Sequence, residues 1–389
     1  MTGGRRPPDA LVAGGGLAGS AVATWLARAG LAVTVLERDL HPRHRICGEF
    51  LSWEAQAWLA DLGVDLVALG AVPIRHVRLV AGQRVVSAPL GFTGLSLSRL
   101  RLDAALLDRA AAAGARVIRG CHVRALEPDG TLATSFGPLS APVTLVATGK
   151  HALRGAFRDR SGTLDHQLGF KTYFRLRPDM REALADHVEL ILFEGGYAGL
   201  QLVERQMANL CLLVSANRYQ AAGGRFESLL ASLLAETPHL ARRLADAVPL
   251  LDRPLAIGRV PYGYLWQPEP GAPPTRLPVG DQATVIPSFT GDGMGLALHG
   301  ARLAATALLE GSGAQGYAAR LAADAGPALR RATRLQRLVG EGPARQARLA
   351  LLASLVPSLL TLSARLTRLP PRALAAAAGP PASGPGRFA

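Results

Sequence analysis

Three glycines near the N-terminus have the spacing that lets a polypeptide backbone bind a diphosphate. Gly14, Gly16 and Gly19 form G-x-G-x-x-G between an apolar segment and an alanine-rich one. The first glycine permits a tight turn, the second lets the backbone approach the diphosphate, and the third allows a helix to pack closely on a strand. Glu37 ends the next apolar segment, about 20 residues on, where such units carry an acid that binds ribose. The pattern predicts a dinucleotide-binding βαβ unit.

A second glycine-rich segment lies far along the chain. Gly280 and Asp281 end an apolar strand, and Gly291, Gly293 and Met294 lead into a helix rich in small residues. The N-terminus of a helix carries partial positive charge and unpaired N–H donors, so it stabilises a neighbouring anionic group. This segment is therefore predicted to belong to the same nucleotide-binding domain as the first motif.

With these two segments the chain resembles the FAD-dependent oxidoreductase superfamily of aromatic-ring and ubiquinone-biosynthesis hydroxylases and geranylgeranyl reductases, over nearly its whole length. The resemblance implies that Asp281 accepts hydrogen bonds from the flavin ribityl chain, and that the amides of residues 293–295 face the pyrimidine edge of the flavin. Arg99, in the pattern R-x-x-L-D-x-x-L, matches an arginine that contacts the FAD diphosphate. A dehydrogenase using NAD alone would not need the second segment, so FAD is the expected cofactor.

The residues expected to bind FAD come from both segments, from Arg99 and from the basic loop after Glu37. They are Gly14, Gly16, Gly19, Glu37, Arg38, Arg45, Arg99, Gly280, Asp281, Gly291, Gly293 and Met294.

Three further residues are candidates for catalysis. The Cys47-Gly48-Glu49 segment resembles the Cys-Gly motif of the reductase branch, where this loop lies beside the isoalloxazine ring. Cys47 is thus expected to line the active site, with a buried small apolar side chain as the alternative. Glu49 either anchors Arg45 or takes part in proton transfer. Tyr197 lies in residues 194–200, which correspond to the active-site region of archaeal-type reductases but lack their aromatic-and-lysine signature.

Several departures from related families narrow the function. Thr148 stands where aromatic hydroxylases carry the aspartate of an Asp-Gly motif, which puts the usual nicotinamide contacts in doubt, although NAD(P)H is still the expected electron donor. No tryptophan lies in the W-x-W-x-I-P motif of flavin halogenases. The three cysteines, Cys47, Cys121 and Cys211, are too few for a four-cysteine iron–sulfur cluster and form no metal-binding or disulfide pattern.

Composition limits the partners. The 389 residues are 49% hydrophobic, enough for a large core, and the net charge is +14. Of the 43 lysines and arginines only Lys150 and Lys171 are lysines. The positive charge favours anionic cofactors, substrates or lipid surfaces. Nucleic-acid binding is the competing interpretation of this charge, but with 5% aromatic residues and no recognition-helix pattern, nucleic acid is not an expected partner. The expected location is the cytoplasm, at the inner face of the membrane if the chain binds lipid.

The elements that position these residues follow from apolar periodicity. The predicted fold class is α/β. Residues 9–160 and 275–325 form a Rossmann-like FAD-binding domain of the glutathione-reductase type, and residues 162–274, with strands near 74–90, form a substrate domain built on an antiparallel sheet with one helix at 225–234. Residues 326–378 are predicted to be C-terminal helices, and residues 379–389 a disordered tail.

Residues 345–368 combine an apolar run with arginines at both ends, broken at Pro357. They are expected to pack on the core of the protein, with peripheral membrane contact as the alternative. No run reaches the ~18 apolar residues of a membrane span.

The predicted activity is NAD(P)H-dependent hydroxylation of a hydrophobic or aromatic small molecule. The first alternative is a reductase that saturates C=C bonds of prenyl or polyketide chains, and the second is a flavin-binding protein without activity. The cofactor motifs are common to these functions, so they leave the choice, the substrate and the oligomeric state open.

Overall fold

The computed structural model describes residues 7–156, 158–339 and 342–377, so the predicted tail at 379–389 lies outside the described residues. In the first part of the chain, short apolar runs become strands and alanine- and leucine-rich periodic segments become helices. These elements are β1 (Ala10–Ala13), α1 (Leu17–Arg28), β2 (Val33–Glu37), β3 (Phe50–Leu51), α2 (Trp53–Asp61), β4 (Val72–Ala81), β5 (Arg84–Ser96), α3 (Arg99–Ala112), β6 (Arg116–Arg119), β7 (Val123–Leu126), β8 (Leu132–Thr134), β9 (Gly137–Leu139) and β10 (Val143–Val146).

The middle of the chain is mostly strand. Its elements are β11 (Gln167–Arg175), α4 (Pro178–Leu184), β12 (Asp186–Phe193), β13 (Gly196–Leu202), β14 (Ala208–Ser215), α5 (Ala216–Ala221), α6 (Phe226–Glu236), α7 (Pro238–Arg243), β15 (Val248–Pro249), β16 (Leu255–Gly258) and β17 (Tyr264–Leu265). The prediction of one helix here was wrong, because α4, α5 and α7 accompany the predicted α6. Both α4 and α7 begin at a proline, whose fixed φ suits the first turn of a helix.

The last part of the chain is mostly helical. Its elements are β18 (Arg276–Pro278), β19 (Thr284–Val285), α8 (Gly293–Leu309), α9 (Gly313–Val339), α10 (Pro343–Leu355), α11 (Ser358–Leu366) and α12 (Pro371–Ala377). The predicted boundary between residues 325 and 326 falls inside α9, which continues through Pro327. The C-terminal helices are therefore continuous with the helix that follows α8.

A five-stranded parallel sheet forms the first layer, in the order β18-β10-β1-β2-β6. Alternate residues of β1 face opposite sides of this sheet. Ala10 and Val12 pack among residues of α1, α3 and α8, whereas Leu11 and Ala13 pack with Leu132 of the β7-β8-β9 meander. Both faces are covered, which explains why the strand is apolar throughout.

The second sheet has the order β15-β11-β14-β13-β12-β4-β5-β3, with β16 also paired to β11. Its neighbours are antiparallel except for β4 and β12, which are parallel and far apart in sequence. Ala350 and Ala353 of α10 are buried against Leu79 of β4 and Leu192 of β12, so the C-terminal helices cover this sheet. The predicted fold class, a Rossmann-like domain with an antiparallel second sheet and C-terminal helices, is confirmed.

Among the described helices, none alone has the length and apolar character needed to cross a membrane. Helices α10 and α11 meet these criteria only as a pair, and a bend of 110° separates them.

Candidate active site

A cleft of about 1190 Å³, here called the nucleotide cleft, lies where β1, β2, β10 and β18 end. Open parallel sheets bind their ligands at this edge. Of the twelve residues predicted to bind FAD, all except Gly19 line it, as do Cys47 and Glu49; Tyr197 does not. Segments that are distant in sequence are therefore brought to one site.

The three glycines of the first motif have different roles. Gly14 has φ +112°, and a Cβ there would lie 2.5 Å from the carbonyl oxygen of Ala147. A Cβ on Gly19 would lie 1.9 Å from the carbonyl oxygen of Gly14. At Gly16 the nearest atom to such a Cβ is Nη2 of Arg99, 3.7 Å away. The protein's own packing thus requires Gly14 and Gly19, whereas Gly16 borders open space in the cleft.

Glu37 connects the glycine turn to the basic loop. Its Oε2 accepts a hydrogen bond from the amide of Gly15 at 2.8 Å, and its Oε1 accepts one from the amide of Asp39 at 2.9 Å. Nη2 of Arg45 lies 3.4 Å from the same Oε1 and 2.7 Å from Oδ2 of Asp39. These contacts fix the walls of the cleft, where Arg38 and Arg45 add positive charge.

Arg99 is the first residue of α3, and its guanidinium lines the cleft beside Gly16. Nε and Nη2 bind the carboxylate of Asp103, one turn along the helix, at 2.6 and 2.8 Å. Burial alone would lower the pKa of Arg99, but the Asp103 carboxylate raises that pKa above its usual value. A permanently charged and oriented guanidinium therefore faces the glycine turn.

The second glycine-rich segment closes the other side of the cleft. Gly280 has φ +63°, and a Cβ there would lie 2.9 Å from Cβ of Ala18 in α1. The carboxylate of Asp281 is 27% exposed and lies 3.6 Å from Nζ of Lys150. Around Gly293, the first residue of α8, no atom lies within 4 Å of the Cβ position. Amides at the start of α8 are thus accessible from the cleft.

Glu49 lies in a buried ionic cluster. Its backbone has φ +64°, and its Oε1 is 2.5 Å from Nζ of Lys171. Tyr173 donates its hydroxyl to the two carboxylate oxygens at 2.7 and 2.9 Å, and the amide of Arg99 donates to Oε1 at 2.8 Å. Burial raises the pKa of Glu49, although Lys171 opposes the shift. The side chain pairs with Lys171, and Lys171 donates to the carbonyl of Arg45 at 3.0 Å.

Cys47 lies on a loop that is held against β14. Asn209 donates to the carbonyl oxygens of Cys47 and Gly48 at 3.3 and 3.0 Å, and the thiol of Cys211 donates to the carbonyl oxygen of Cys47 at 3.1 Å. The amide of Glu49 donates to Sγ of Cys47 at 3.3 Å. The side chain of Cys47 is half-buried and lines the nucleotide cleft.

A second space of about 410 Å³, here called the apolar cavity, lies between the second sheet and helices α10 and α11. Most of its wall is aliphatic: Val77, Leu79, Leu90, Val188, Leu190, Leu192, Leu212, Leu213, Leu349, Leu352, Leu359 and Leu360. Tyr197 lines this cavity, and its hydroxyl is hydrogen-bonded to Oγ of Ser288. Burial raises the pKa of Tyr197.

The two spaces share part of their walls. The residues that line both are Ile46, Cys47, Gly48, Phe50, Lys150, Tyr262, Ser288 and Gly291. Sequence reasoning had singled out Cys47 and Gly291 in this set but missed Lys150, Tyr262 and Ser288. The rarity of lysine in the chain was the one signal that pointed to Lys150.

A further contact connects the C-terminal segment to α8. Arg368 pairs with Asp292, the residue before α8, and its guanidinium lies over the rings of Phe50 and Phe92, 5.5 and 4.9 Å from their centroids. Burial raises the pKa of Asp292 to about 7, although Arg368 opposes the shift. The C-terminal segment is thus fixed beside the start of α8, a feature that sequence reasoning missed.

The groups around the nucleotide cleft fit FAD. Gly16 leaves room for a diphosphate, Arg99 and the basic loop supply positive charge, Asp281 is a partly exposed acceptor, and the start of α8 presents N–H donors. Fold and site together define a Rossmann-type nucleotide site whose groups suit a flavin cofactor.

Comparisons with known proteins agree with a Rossmann-type nucleotide site. The model of the NAD(P)-binding Rossmann-like domain family matches residues 12–76. The menaquinone reductase of Mycolicibacterium smegmatis is 25% identical over 338 residues, which cover 78% of this chain and 76% of that protein. The menaquinone reductase of Mycobacterium tuberculosis is 34% identical over 126 residues, 31% of each chain, so the match spans about a third of that relative. Squalene monooxygenase 1,2 of Brassica napus is 27% identical over 59% of this chain and 47% of its own length.

Solved structures show the same fold. A flavin-dependent brominase superposes with a TM-score of 0.75 at 18% identity, covering 93% of each chain. The myxobacterial chondrochloren halogenase, an FAD-dependent enzyme, superposes with a TM-score of 0.73 at 18% identity over 96% of each chain. At this identity the likeness shows that the chain has the fold of these flavin-dependent enzymes, the fold that its motifs predicted.

Proposed function

We propose that the protein is an NAD(P)H-dependent flavin monooxygenase that hydroxylates a hydrophobic or aromatic small molecule held in the apolar cavity. The observation that carries this proposal is the shared wall of the nucleotide cleft and the apolar cavity. A molecule in the cavity would lie beside the Cys47-Gly48 loop, where the resemblance places the flavin ring. Aliphatic walls favour oxygen transfer because they exclude water, which limits side reactions of reactive species.

The chain's own residues bind and orient the cofactor, and FAD when bound supplies the redox chemistry. The glycine turn and Arg99 would hold the diphosphate of FAD, and Asp281 would accept hydrogen bonds from its ribityl chain. The amides at the start of α8 would stabilise negative charge on the bound flavin. Glu49 keeps the Cys47-Gly48 loop in place through Lys171 and Tyr173. In this proposal Cys47 faces the substrate, and the hydroxyl of Tyr197 retains its proton.

Reduction of a C=C bond is the second candidate activity. It is favoured by the similarity to the menaquinone reductase of Mycolicibacterium smegmatis, which spans 78% of this chain. The shared wall serves a reductase equally well, because hydride transfer also requires contact between the flavin and an apolar substrate.

Oxygen use separates the two activities. We expect substrate-dependent oxidation of NADH or NADPH to consume oxygen in equal amount and to give a product heavier by one oxygen atom. Anaerobic turnover to a product heavier by two hydrogens would replace the monooxygenase with the reductase. A protein that keeps bound FAD without turning over any of a panel of alkylphenols, quinones and prenyl chains would contradict both.

We also propose that helices α10 and α11, here called the C-terminal arm, contact an anionic membrane surface. Large apolar side chains of the arm outside the cavity wall are exposed: Leu351, Leu355, Val356, Leu362 and Leu366 are each at least 40% exposed. Residues 343–366 of the arm contain three arginines, Arg345, Arg348 and Arg365, and no acidic residue. A bent amphipathic pair with basic flanks is suited to the interface of a bilayer with acidic lipids.

The proposed membrane contact is tested by introducing negative charges on the apolar face of the arm. The double variant Leu355→Glu/Leu362→Glu is expected to lose binding to vesicles containing phosphatidylglycerol while keeping its FAD. Binding by the natural chain should weaken steeply with salt, because each arginine near the surface contributes about 1 kcal/mol. Val67→Glu, which changes an 83% exposed residue outside the arm, is the matched control. Vesicle binding unaffected by the double variant, or a dimer that the double variant dissociates, would overturn this proposal.

A further inference from the structure

The wall shared by the two spaces contains one permanent cation. Of its eight residues, Lys150 alone carries a basic side chain. Nζ of Lys150 donates to the carbonyl oxygen of Ile46 at 3.2 Å and lies 3.6 Å from Oδ2 of Asp281. Burial alone would lower the pKa of Lys150, but the Asp281 carboxylate raises it, so the ammonium remains charged.

The other charged residues of the apolar cavity are already engaged. Glu189 is paired with Arg78, His239 and Arg243, and Arg368 is paired with Asp292. An ammonium has three N–H donors, and the contacts of Lys150 to Ile46 and Asp281 engage two of them. Among the described residues of this cavity, Lys150 is therefore the charged group with hydrogen-bonding capacity to offer a ligand.

Composition adds an independent argument. The chain has 41 arginines and two lysines, so arginine is its ordinary cation. Lys150 stands at the shared wall, and Lys171, which lines neither space, is buried against Glu49 of the neighbouring loop. A lysine presents a compact point charge, whereas arginine presents a wide planar fork. The use of lysine here indicates a site where a compact charge fits and a guanidinium does not.

Neutral hydroxyls stand next to the ammonium. Tyr262 and Ser288 line both spaces with Lys150, and Ser288 is hydrogen-bonded to Tyr197. Burial raises the pKa of Tyr262, although Lys150 and a hydrogen bond to Ser288 oppose the shift. These groups form a polar strip at one end of a cavity whose remaining walls are mostly aliphatic.

We propose that Lys150, Tyr262 and Ser288 form a head-group site that binds the anionic oxygen of an amphiphilic substrate, a carboxylate or a phenolate, whose apolar body fills the apolar cavity. The ammonium neutralises the negative charge and the hydroxyls orient it, so the carbon atoms next to the head group lie at the shared wall. This inference rests on the proposed function for the presence of a substrate in the cavity, and it adds the chemical class of that substrate.

Binding to the FAD-loaded protein tests the head-group site without turnover. Dodecanoate and dodecanol share the same chain and differ in charge, and calorimetry or the flavin absorption spectrum reports their affinities. We expect roughly tenfold or more tighter binding of dodecanoate, because a hydrogen bond to a charged group is stronger than one between neutral groups. Lys150→Met should abolish this preference and leave the affinity for dodecanol unchanged.

Two variants separate charge from shape. Lys150→Arg keeps the charge but is expected to bind dodecanoate more weakly than the natural chain, because the guanidinium is larger. Arg154→Gln is the matched control: the side chain of Arg154 is 78% exposed and lines neither space, so its variant should retain the preference. Equal loss of the preference in Arg154→Gln and Lys150→Met would show a general charge effect and overturn the site.

A coloured phenol gives a readout on the natural chain alone. The nitrophenol 4-nonyl-2-nitrophenol absorbs visible light when ionised, so its pKa can be followed while it is bound. A cationic head-group site lowers the pKa of the bound phenol, whereas a purely apolar cavity raises it. A raised pKa, together with no preference for dodecanoate, would reject the head-group site. Because no step needs NAD(P)H or oxygen, this result is independent of whether the protein is a monooxygenase or a reductase.

Discussion

The nucleotide cleft and the apolar cavity share a wall but are built in different ways. The cleft combines glycines from short motifs with charged side chains such as Glu37, Arg45 and Arg99. The cavity consists mainly of aliphatic side chains from β4, β5, β12 and β14 and from the C-terminal arm. The cleft is thus defined by a few local patterns, whereas the cavity exists only after distant elements have packed. Changes in one should leave the other intact.

The largest expected effect is the loss of FAD when the glycine turn is filled. Gly16→Val should reduce FAD occupancy to a small fraction, because its side chain occupies the open space near Arg99, while the fold persists. Asp281→Ala should lower occupancy less, by losing hydrogen bonds worth roughly 1–3 kcal/mol. Flavin absorbance per protein, before and after denaturation, measures both.

Gly19→Val is the contrasting variant for this prediction. A Cβ at Gly19 would lie 1.9 Å from the carbonyl oxygen of Gly14, so this variant should lose thermal stability as well as FAD. Full FAD occupancy in both Gly16→Val and Asp281→Ala would contradict the assignment of the cleft.

A smaller effect is expected when the apolar cavity is filled. Gly199 of β13 lines the cavity, and a Cβ there would meet only the carbonyl oxygen of Cys211, at 4.0 Å. Gly199→Leu should weaken binding of apolar ligands roughly tenfold or more while FAD content stays constant, and Gly199→Ala should have a smaller effect of the same sign. Loss of FAD from Gly199→Leu would show that the two regions are not separable.

The contrast also explains what the sequence could predict. The βαβ unit and the Gly280-Asp281 segment were recognisable because each function resides in a few adjacent residues. The cavity was not, because Leu79, Leu192 and Leu213 follow the same apolar patterns as ordinary core residues. The partner of Glu49 was missed for a related reason: Lys171 lies far along the chain, and only the pairing of β11 with β14 beside the Cys47-Gly48 loop brings the two together. The contact between Arg368 and Asp292 was missed for the same reason, because only the packing of distant elements brings these two residues together.

Lowering the pH should destabilise the elements around the apolar cavity before it destabilises those around the nucleotide cleft. Glu189 of β12 is buried and bound by His239 and Arg243 at 2.8 and 2.7 Å. Burial alone would raise its pKa, but these partners lower the pKa of Glu189 to about 2 from 4.5. Because the pKa is depressed in the folded state, the carboxylate stabilises the fold above pH 4.5, and this contribution, about 3 kcal/mol, is lost as the pH falls towards 2.

Urea unfolding between pH 7 and pH 3 measures this loss, and hydrogen exchange locates it. Peptides of β12 and α7 should lose protection on acidification before those of β1 and α1. Glu189→Gln should have a lower stability at pH 7 and a weaker dependence on pH. The same pH dependence in Glu189→Gln as in the natural chain would assign the effect to other groups.

The smallest expected effect falls on the wall that the two regions share. Cys47 lines both spaces, and the carbonyl oxygens of its loop are held by Asn209 and Cys211, whereas its thiol accepts one hydrogen bond, from the amide of Glu49. If the side chain faces the substrate, Cys47→Ala should change KM or kcat severalfold while FAD content and thermal stability stay close to those of the natural chain. The alternative, a buried apolar side chain, predicts unchanged kinetics and a lower melting temperature, because removing buried atoms leaves a small void. Steady-state kinetics and thermal unfolding of the same preparation therefore decide between the two roles. Cys121→Ala removes a fully buried thiol that lines the nucleotide cleft but not the apolar cavity, and it shows the stability loss expected when buried atoms are removed.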